Sequence, residues 1–387
     1  MTAASVAVVG AGVMGASAAY HLAIRGVRDV VVLDRSAGPG LGSTGAATGG
    51  FRAQFDTAIN VRLSLLARER LRRFQEEVGA DPGYSTAGYL WLAGTESERD
   101  ALAQAHRIQH AEGLVEAALV GPDEAGRLSP AVRLDGVIGG AFCPTDGFIR
   151  PRKVLEGYLD AAERLGVRVD WGVDVIGFAR GKDGRITEVE TSRGRIPAGA
   201  VVNAAGAWAA PVAAYGGVAL PVAPLRRQVA ATAVTDLLPE STPMTIFVSD
   251  GFHFRVRDGR VLLLLPTPGI AGRPFDATVD PAWVDTVARV ARERVPVLRR
   301  ASVDLTACWA GLYEMTPDKH AILGVAPGCP NLYLINGSSG HGVMHAPALG
   351  QLLAEIVIDG AASSLDVSAL RPSRFEEGAP NPLSGVL

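Results

Sequence analysis

Cysteine is scarce. The 387 residues hold three, Cys143, Cys308 and Cys329, with no CxxC pair and an odd total. That argues against a disulfide framework and fits a reducing compartment. Charge of one sign is also missing: 37 Lys and Arg stand against 40 Asp and Glu. No basic surplus is left to follow a phosphate backbone, so nucleic-acid binding is not expected. Nowhere does the chain run for about 20 uncharged apolar residues, which excludes a transmembrane helix of ordinary length. The apolar start over residues 5–23 lacks the positive n-region of a signal peptide. A soluble, cytoplasmic protein is the expectation, and at this length it buries enough apolar surface to need no disulfide or metal staple.

Glycine, in contrast, is plentiful. It makes up 46 of 387 residues, about 12% against a usual 7% or so, without a Gly-X-Y period. The excess therefore belongs to tight turns and ligand loops. Residues 5–9 read as a short buried strand, 16–24 as a small-residue helix and 30–33 as a second buried strand closed by Asp34. This is a βαβ unit. Between its first strand and its helix stands Gly10-Ala11-Gly12-Val13-Met14-Gly15, a G-x-G-x-x-G. Gly10 permits the tight turn, Gly12 lets a pyrophosphate approach the backbone, and Gly15 brings helix and strand together. The helix start then offers its N–H groups to phosphate. Asp34 follows Gly15 by 19 residues, the place of an acid that binds the adenosine ribose and repels a 2′-phosphate. The motif points to a dinucleotide but does not choose between NAD and FAD.

Residues 41–50 form a Gly/Ser/Thr/Ala loop that cannot pack a core alone. Amphipathic helices are expected over 58–78, 96–112, 153–165 and 281–295. Strands are expected at 89–92, 167–169 and 173–178, a hairpin over 185–202, and mostly strands over 221–303. Near the end come a buried strand at 332–335, a glycine loop at 337–342 and a helix over 347–358. A Pro- and Gly-rich tail, residues 378–387, reads as free or as a docking segment. The ends look nucleotide-binding and the middle looks inserted.

Further blocks are dispersed along the chain. They are Gly42-Ser43-Thr44-Gly45 with Gly49-Gly50-Phe51-Arg52, Pro144-Thr145-Asp146-Gly147, and Val202-Asn203-Ala204-Ala205-Gly206-Ala207-Trp208. Two more are Ala310-Gly311-Leu312-Tyr313-Glu314-Met315-Thr316-Pro317-Asp318 and Ser339-Gly340-His341-Gly342. With the glycine fingerprint, these blocks resemble the D-amino-acid-oxidase-like flavoproteins over almost the whole chain. The sarcosine oxidase and dye-linked proline dehydrogenase β-subunit branch is the most similar. The resemblance implies an α/β fold: a Rossmann-like FAD-binding domain with an inserted α+β substrate domain on a mixed or antiparallel sheet. The FAD-binding domain is expected over 1–85, 148–220 and 308–387, and the substrate domain over 86–147 and 221–307.

FAD is the implied cofactor. Its expected contacts are Gly10, Gly12, Val13, Met14, Gly15, Asp34 and Arg35, then Ser43, Thr44, Ala47, Thr48, Gly49 and Gly50. Val175, Ala204, Ala205, Gly206 and Trp208 follow, Trp208 being equally readable as packing. Gly311, Tyr313, Gly337, Gly340, His341, Gly342, Val343 and Met344 complete the set. The loop before the last helix would face the edge where reduced flavin carries negative charge, which a helix N-terminus stabilises. Gly311 stands where monomeric sarcosine oxidases carry a flavin-linking cysteine, and the loop after Gly42 lacks the linking histidine of dimethylglycine dehydrogenases. FAD is therefore expected to be non-covalent.

The implied reaction takes a hydride from the carbon next to an amine nitrogen to flavin N5, on a sarcosine- or proline-like substrate. Such oxidases use a lysine near the flavin to activate oxygen; here the strand over 260–265 offers a leucine, expected to be Leu263, so a dehydrogenase is favoured. Another lysine, two residues after their His-Gly pair, is replaced by Met344. Arg52 is a candidate for the substrate carboxylate, or a structural arginine bonding loop carbonyls. Tyr313 is a site candidate, while Glu314 and Asp318 read as structural. His341 reads as a hydrogen-bonder more than a proton donor, and His253, between Phe252 and Phe254, as core or base. Two alternatives stay open: oxidation of a 2-hydroxy acid or polyol, and a flavin subunit that works with a partner subunit.

Overall fold

The structure is a computed structural model that describes residues 4–267 and 273–383. A first sheet runs in the order Ile322–Ala326, Cys329–Asn336, Gly194–Asn203, Ala4–Val9, Val30–Asp34 and Arg168–Trp171. Ala4–Val9 pairs in parallel with both of its neighbours, and the hairpin Val175–Arg180/Ile186–Thr191 joins Gly194–Asn203 antiparallel. Alternation sorts the first strand's side chains. Val6 and Val8 pack under helices, while Ala7 and Val9 pack on the opposite face with Val189, Ile196 and Val212. Covered on both faces, the sheet reads as continuous apolar strands.

Three helices stack on the first of those faces: Val13–Ile24, Pro151–Arg164 and Gly342–Asp359. The expected helix over 16–24 is thus present and starts at Val13. Small residues let the first and the last approach closely, since a Cβ on Gly350 would lie 2.2 Å from Ser17 Oγ. Ser17 also donates to the carbonyl of Ala346 at 2.8 Å.

A second, mixed sheet runs Trp309–Met315, Ala223–Ala231, Arg260–Leu264, His253–Arg257, Met244–Phe247, Tyr89–Ala93, Gly139–Cys143 and Ala118–Val120. One face packs Phe252, Phe254, Val261 and Leu263 against the helix Pro281–Arg294. The other face looks toward the glycine loops. The short pair Gly50–Phe51 and Gly147–Phe148 lies beside both systems.

Several expectations need adjustment. The helix expected over 58–78 breaks at Arg73 into Ala58–Arg72 and Phe74–Glu77. The last helix begins at Gly342, five residues earlier than expected, and carries Pro347 inside it. Trp309–Met315, grouped from the sequence with the cofactor-binding part, hydrogen-bonds to Ala223–Ala231 and so completes the second sheet. The described part of the tail is tied down: Asn381 donates to Asp318, which also receives two bonds from buried Arg374. Residues 384–387 of that tail lie outside the described residues.

Candidate active site

Between the two sheets lies a cavity of about 570 Å³ that runs from Asp34 to the start of the last helix. At one end Gly10 takes φ +105°, and a Cβ there would sit 2.4 Å from the Ala204 carbonyl oxygen. Only glycine fits this turn. Gly15 is not on the cavity wall; its missing Cβ would meet Gly10 O at 1.9 Å, so its work is helix–strand contact. The Asp34 carboxylate accepts from Ala11 N and from Ser36 N, both at 2.7 Å. Arg35 lies over the Trp208 ring at 3.8 Å, and Phe275 stacks on Trp208 at 5.3 Å.

The loop after Gly42 is held from the second sheet. It is not wholly irregular, since residues Ser43–Ala46 form one short helical turn. Ser43 Oγ donates to Leu312 O at 2.6 Å, Thr44 Oγ1 accepts from Val13 N at 3.1 Å, and Trp309 Nε1 donates to Ala46 O at 2.7 Å. Arg255 Nη1 donates to Thr48 O at 2.8 Å while its guanidinium lies 3.6 Å over Phe148. Burial lowers the Arg255 pKa to about 9.

The far end carries the chemistry. Arg52 is buried between the rings of Phe55, at 4.0 Å, and Trp91, at 5.0 Å. Its Nη1 donates to Gln54 O at 2.8 Å and its Nη2 donates to His341 Nε2 at 3.3 Å. Since guanidinium only donates, Nε2 accepts and the His341 proton sits on Nδ1. Burial first, then the Arg52 charge, lowers the His341 pKa well below its usual value. His253 is neutral as well: burial lowers it to about 4, and its Nδ1 donates to Gly251 O at 2.8 Å. That leaves His253 Nε2 as an acceptor on the cavity wall. Burial also raises the Tyr313 phenol.

Every residue expected to touch the cofactor or the substrate lines this cavity except Gly15 and Gly337. Gly337 instead leaves room for Thr316, whose Cγ2 a Cβ would meet at 2.3 Å. The strand Arg260–Leu264 is out by one residue from the expected register. Leu263 faces the helix core, and Leu264 faces the cavity. Sequence reasoning missed Tyr89, Trp91, Met244, Ile246 and Lys319 on the wall, and it gave Arg227 and Gln228 of the inserted domain no role. Alternation along Tyr89–Ala93 was the available signal for the first two, because Leu90 and Leu92 pack into the opposite core.

Over residues 5–356 the chain matches the model of the DAO family, described as FAD dependent oxidoreductase. The chain belongs to this family. Among solved structures it is similar to L-proline dehydrogenase from P.horikoshii, with a TM-score of 0.91 and 28% identity, over 98% of this chain and 100% of that one. It is 29% identical to glycine oxidase of Geobacillus kaustophilus, over 91% of this chain and 92% of the relative. It is also 29% identical to mitochondrial dimethylglycine dehydrogenase of Rattus norvegicus, over 96% of this chain but only 45% of the relative. The expected resemblance and the α/β fold are thereby borne out.

The residues present fit FAD. The Gly10–Gly12 turn and the bare wall at Ala204 and Ala205 leave space for a pyrophosphate, and Asp34 stands at the ribose end. At the other end, Glu314 Oε1 accepts from Ser338 N at 3.2 Å, and Glu314 Oε2 and Ser338 Oγ are buried on the cavity wall with no further partner than each other among the described residues. Such groups suit the polar edge of a flavin. The first N–H groups of Gly342–Asp359 have no partner within that helix and carry its positive dipole end. Among the described residues no helix is long and apolar enough to cross a membrane.

Proposed function

We propose that this FAD-dependent oxidoreductase oxidises a secondary or cyclic amino acid at the carbon next to nitrogen. The observation that carries the reading is the charge pattern at the chemical end of the cavity. Arg52, Arg227 and Lys319 line it together with two histidines that burial keeps neutral, and the one acid among the described residues at this end, Glu314, has its charge weakened by burial, which raises its pKa to about 7. Such a wall attracts a carboxylate and repels an ammonium, so the bound amine is held in the neutral form whose adjacent carbon releases hydride. FAD bound in the cleft supplies the two-electron acceptor for that hydride.

The chain's own residues do the rest. Tyr89, Trp91, Met244, Ile246 and Leu264 exclude water and fix an apolar substrate body. Asp34, the glycine turn and the carbonyl brace through Arg255 position the cofactor. On the strand where the sequence resemblance leads one to expect an oxygen-activating lysine, the residue on the cavity wall is the neutral Leu264, which supports a dehydrogenase. Non-covalent binding is supported by the cavity wall, which carries no cysteine among the described residues. The three free thiols agree with a cytoplasmic setting. Oxidation of a hydroxy acid needs a base on the alcohol, and His253, lowered to about 4, is a poor one.

An anaerobic panel tests the reading. N-methyl and cyclic amino acids are expected to bleach the visible flavin band, and hydroxy acids and polyols to leave it unchanged. Bleaching by the second group alone would reject amine oxidation. Peroxide formed as fast as a dye is reduced would reject the dehydrogenase preference.

A further inference from the structure

We propose that Arg227, not Arg52, holds the substrate carboxylate; this rests on the amino-acid reading above. The two arginines differ in how their charge is met. Arg52 has both Nη atoms engaged, on Gln54 O and His341 Nε2, and Asp56 and Asp146 lie in its electrostatic surroundings. Its cationic charge is answered from within the protein. Arg227, on the strand Ala223–Ala231, has no ion pair among the described residues. Its Nη1 donates to Thr267 O at 2.6 Å, a bond that fixes the guanidinium plane. The Nε and Nη2 edge makes no hydrogen bond among the described residues, although Arg227 lines the cavity.

A cation that is partly buried and makes no ion pair among the described residues costs solvation energy unless an anion arrives. The free edge presents two parallel donors, the geometry that fits a carboxylate bidentately. Tyr313 lies under the same guanidinium, with the ring centroid 5.6 Å from Cζ, and His253 shares the wall. A carboxylate held on Arg227 therefore has a phenol donor beside it. The amine end of the same molecule is then directed away from Arg227, toward the apolar wall. Arg52 is left to orient His341.

The test uses the FAD-loaded protein and tetrahydrofuran-2-carboxylate, a ring analogue of proline that lacks the amine. Its binding is followed by the perturbation of the flavin visible band, without turnover. The wild-type protein is expected to bind it saturably and to bind the corresponding carboxamide much more weakly. Arg227→Gln should weaken carboxylate binding by about 30-fold or more, Arg227→Lys by less, and Arg52→Lys by less than Arg227→Gln. With a substrate amino acid, Arg227→Gln should raise KM more than it lowers the limiting rate of flavin reduction. Equal binding of acid and amide by the wild type would overturn the proposal, whatever the variants do. So would an Arg227→Gln affinity close to that of the wild type, or a larger loss in Arg52→Lys. If the amino-acid reading itself were wrong, the wild-type flavin would stay oxidised with every amino acid, an outcome distinct from these.

Discussion

Arg52 Nη2 donates to His341 Nε2 across 3.3 Å, joining the loop after Gly50 to the cap of the last helix. The contact sets the His341 tautomer and, with burial, keeps the ring neutral. The sign follows directly. A histidine lowered well below 6.5 takes up its proton only at acid pH, so it does not titrate between about pH 6 and 9. The rate of flavin reduction should therefore carry no limb from His341 between about pH 6 and 9. Stopped-flow reduction from pH 6 to 9 checks this, and a limb near 6.5 that vanishes in His341→Asn would contradict it.

Gly10→Ala should cost both fold and cofactor. The new Cβ meets Ala204 O at 2.4 Å on a residue with φ +105°. A loss of about 1–3 kcal/mol in stability is expected from the backbone alone. Denaturant unfolding of the FAD-free protein measures that loss, and FAD retained per chain measures the second effect.

Asp34→Ala removes the acceptor for Ala11 N and Ser36 N as well as the group placed for the ribose. FAD affinity should fall by about 10- to 100-fold, the cost of lost hydrogen bonds to a charged group. Quenching of flavin fluorescence on rebinding gives the dissociation constant. An unchanged value would remove Asp34 from the cofactor site.

The pair Asp318–Arg374 is buried, with side chains 1% and 0% exposed and a shortest contact of 2.8 Å. Desolvation pushes Asp318 up, but the bonds and charge of Arg374, with the N–H groups of Asn381 and His320, outweigh it and lower its pKa to about 2. The folded pKa is depressed, so the pair's contribution is complete above the unfolded value, near pH 4, and is lost as pH falls toward 2. Arg374→Met should destabilise the protein at pH 7 by about 3–5 kcal/mol, because a buried carboxylate loses its counter-charge. Urea midpoints at pH 7 and pH 3 should show the gap between wild type and variant narrowing in acid.

The nucleotide end of the fold was legible because its demands are local. A turn that admits only glycine, and an acid closing the second strand, are written at fixed spacings in Gly10, Gly12, Gly15 and Asp34. What was not legible depends on tertiary partners. Pro347 lacks the N–H that would bond Val343 O and so reads as a helix boundary, yet packing against Val13–Ile24 carries the helix through it. The register of Arg260–Leu264 was ambiguous because leucines occupy both faces; only the helix Pro281–Arg294 decides that Leu263 points inward. Arg227 belongs to the same class. Nothing near it in the sequence says which arginines meet an acid and which face a cavity.

The site as a whole is tested most directly by anaerobic titration of the purified, FAD-loaded protein with a cyclic or N-methyl amino acid. Stoichiometric bleaching of the flavin, with one imine formed per FAD reduced, is the expected result. Protein that takes up no FAD, or a bound flavin that stays oxidised with every amino acid while a hydroxy acid reduces it, would contradict it.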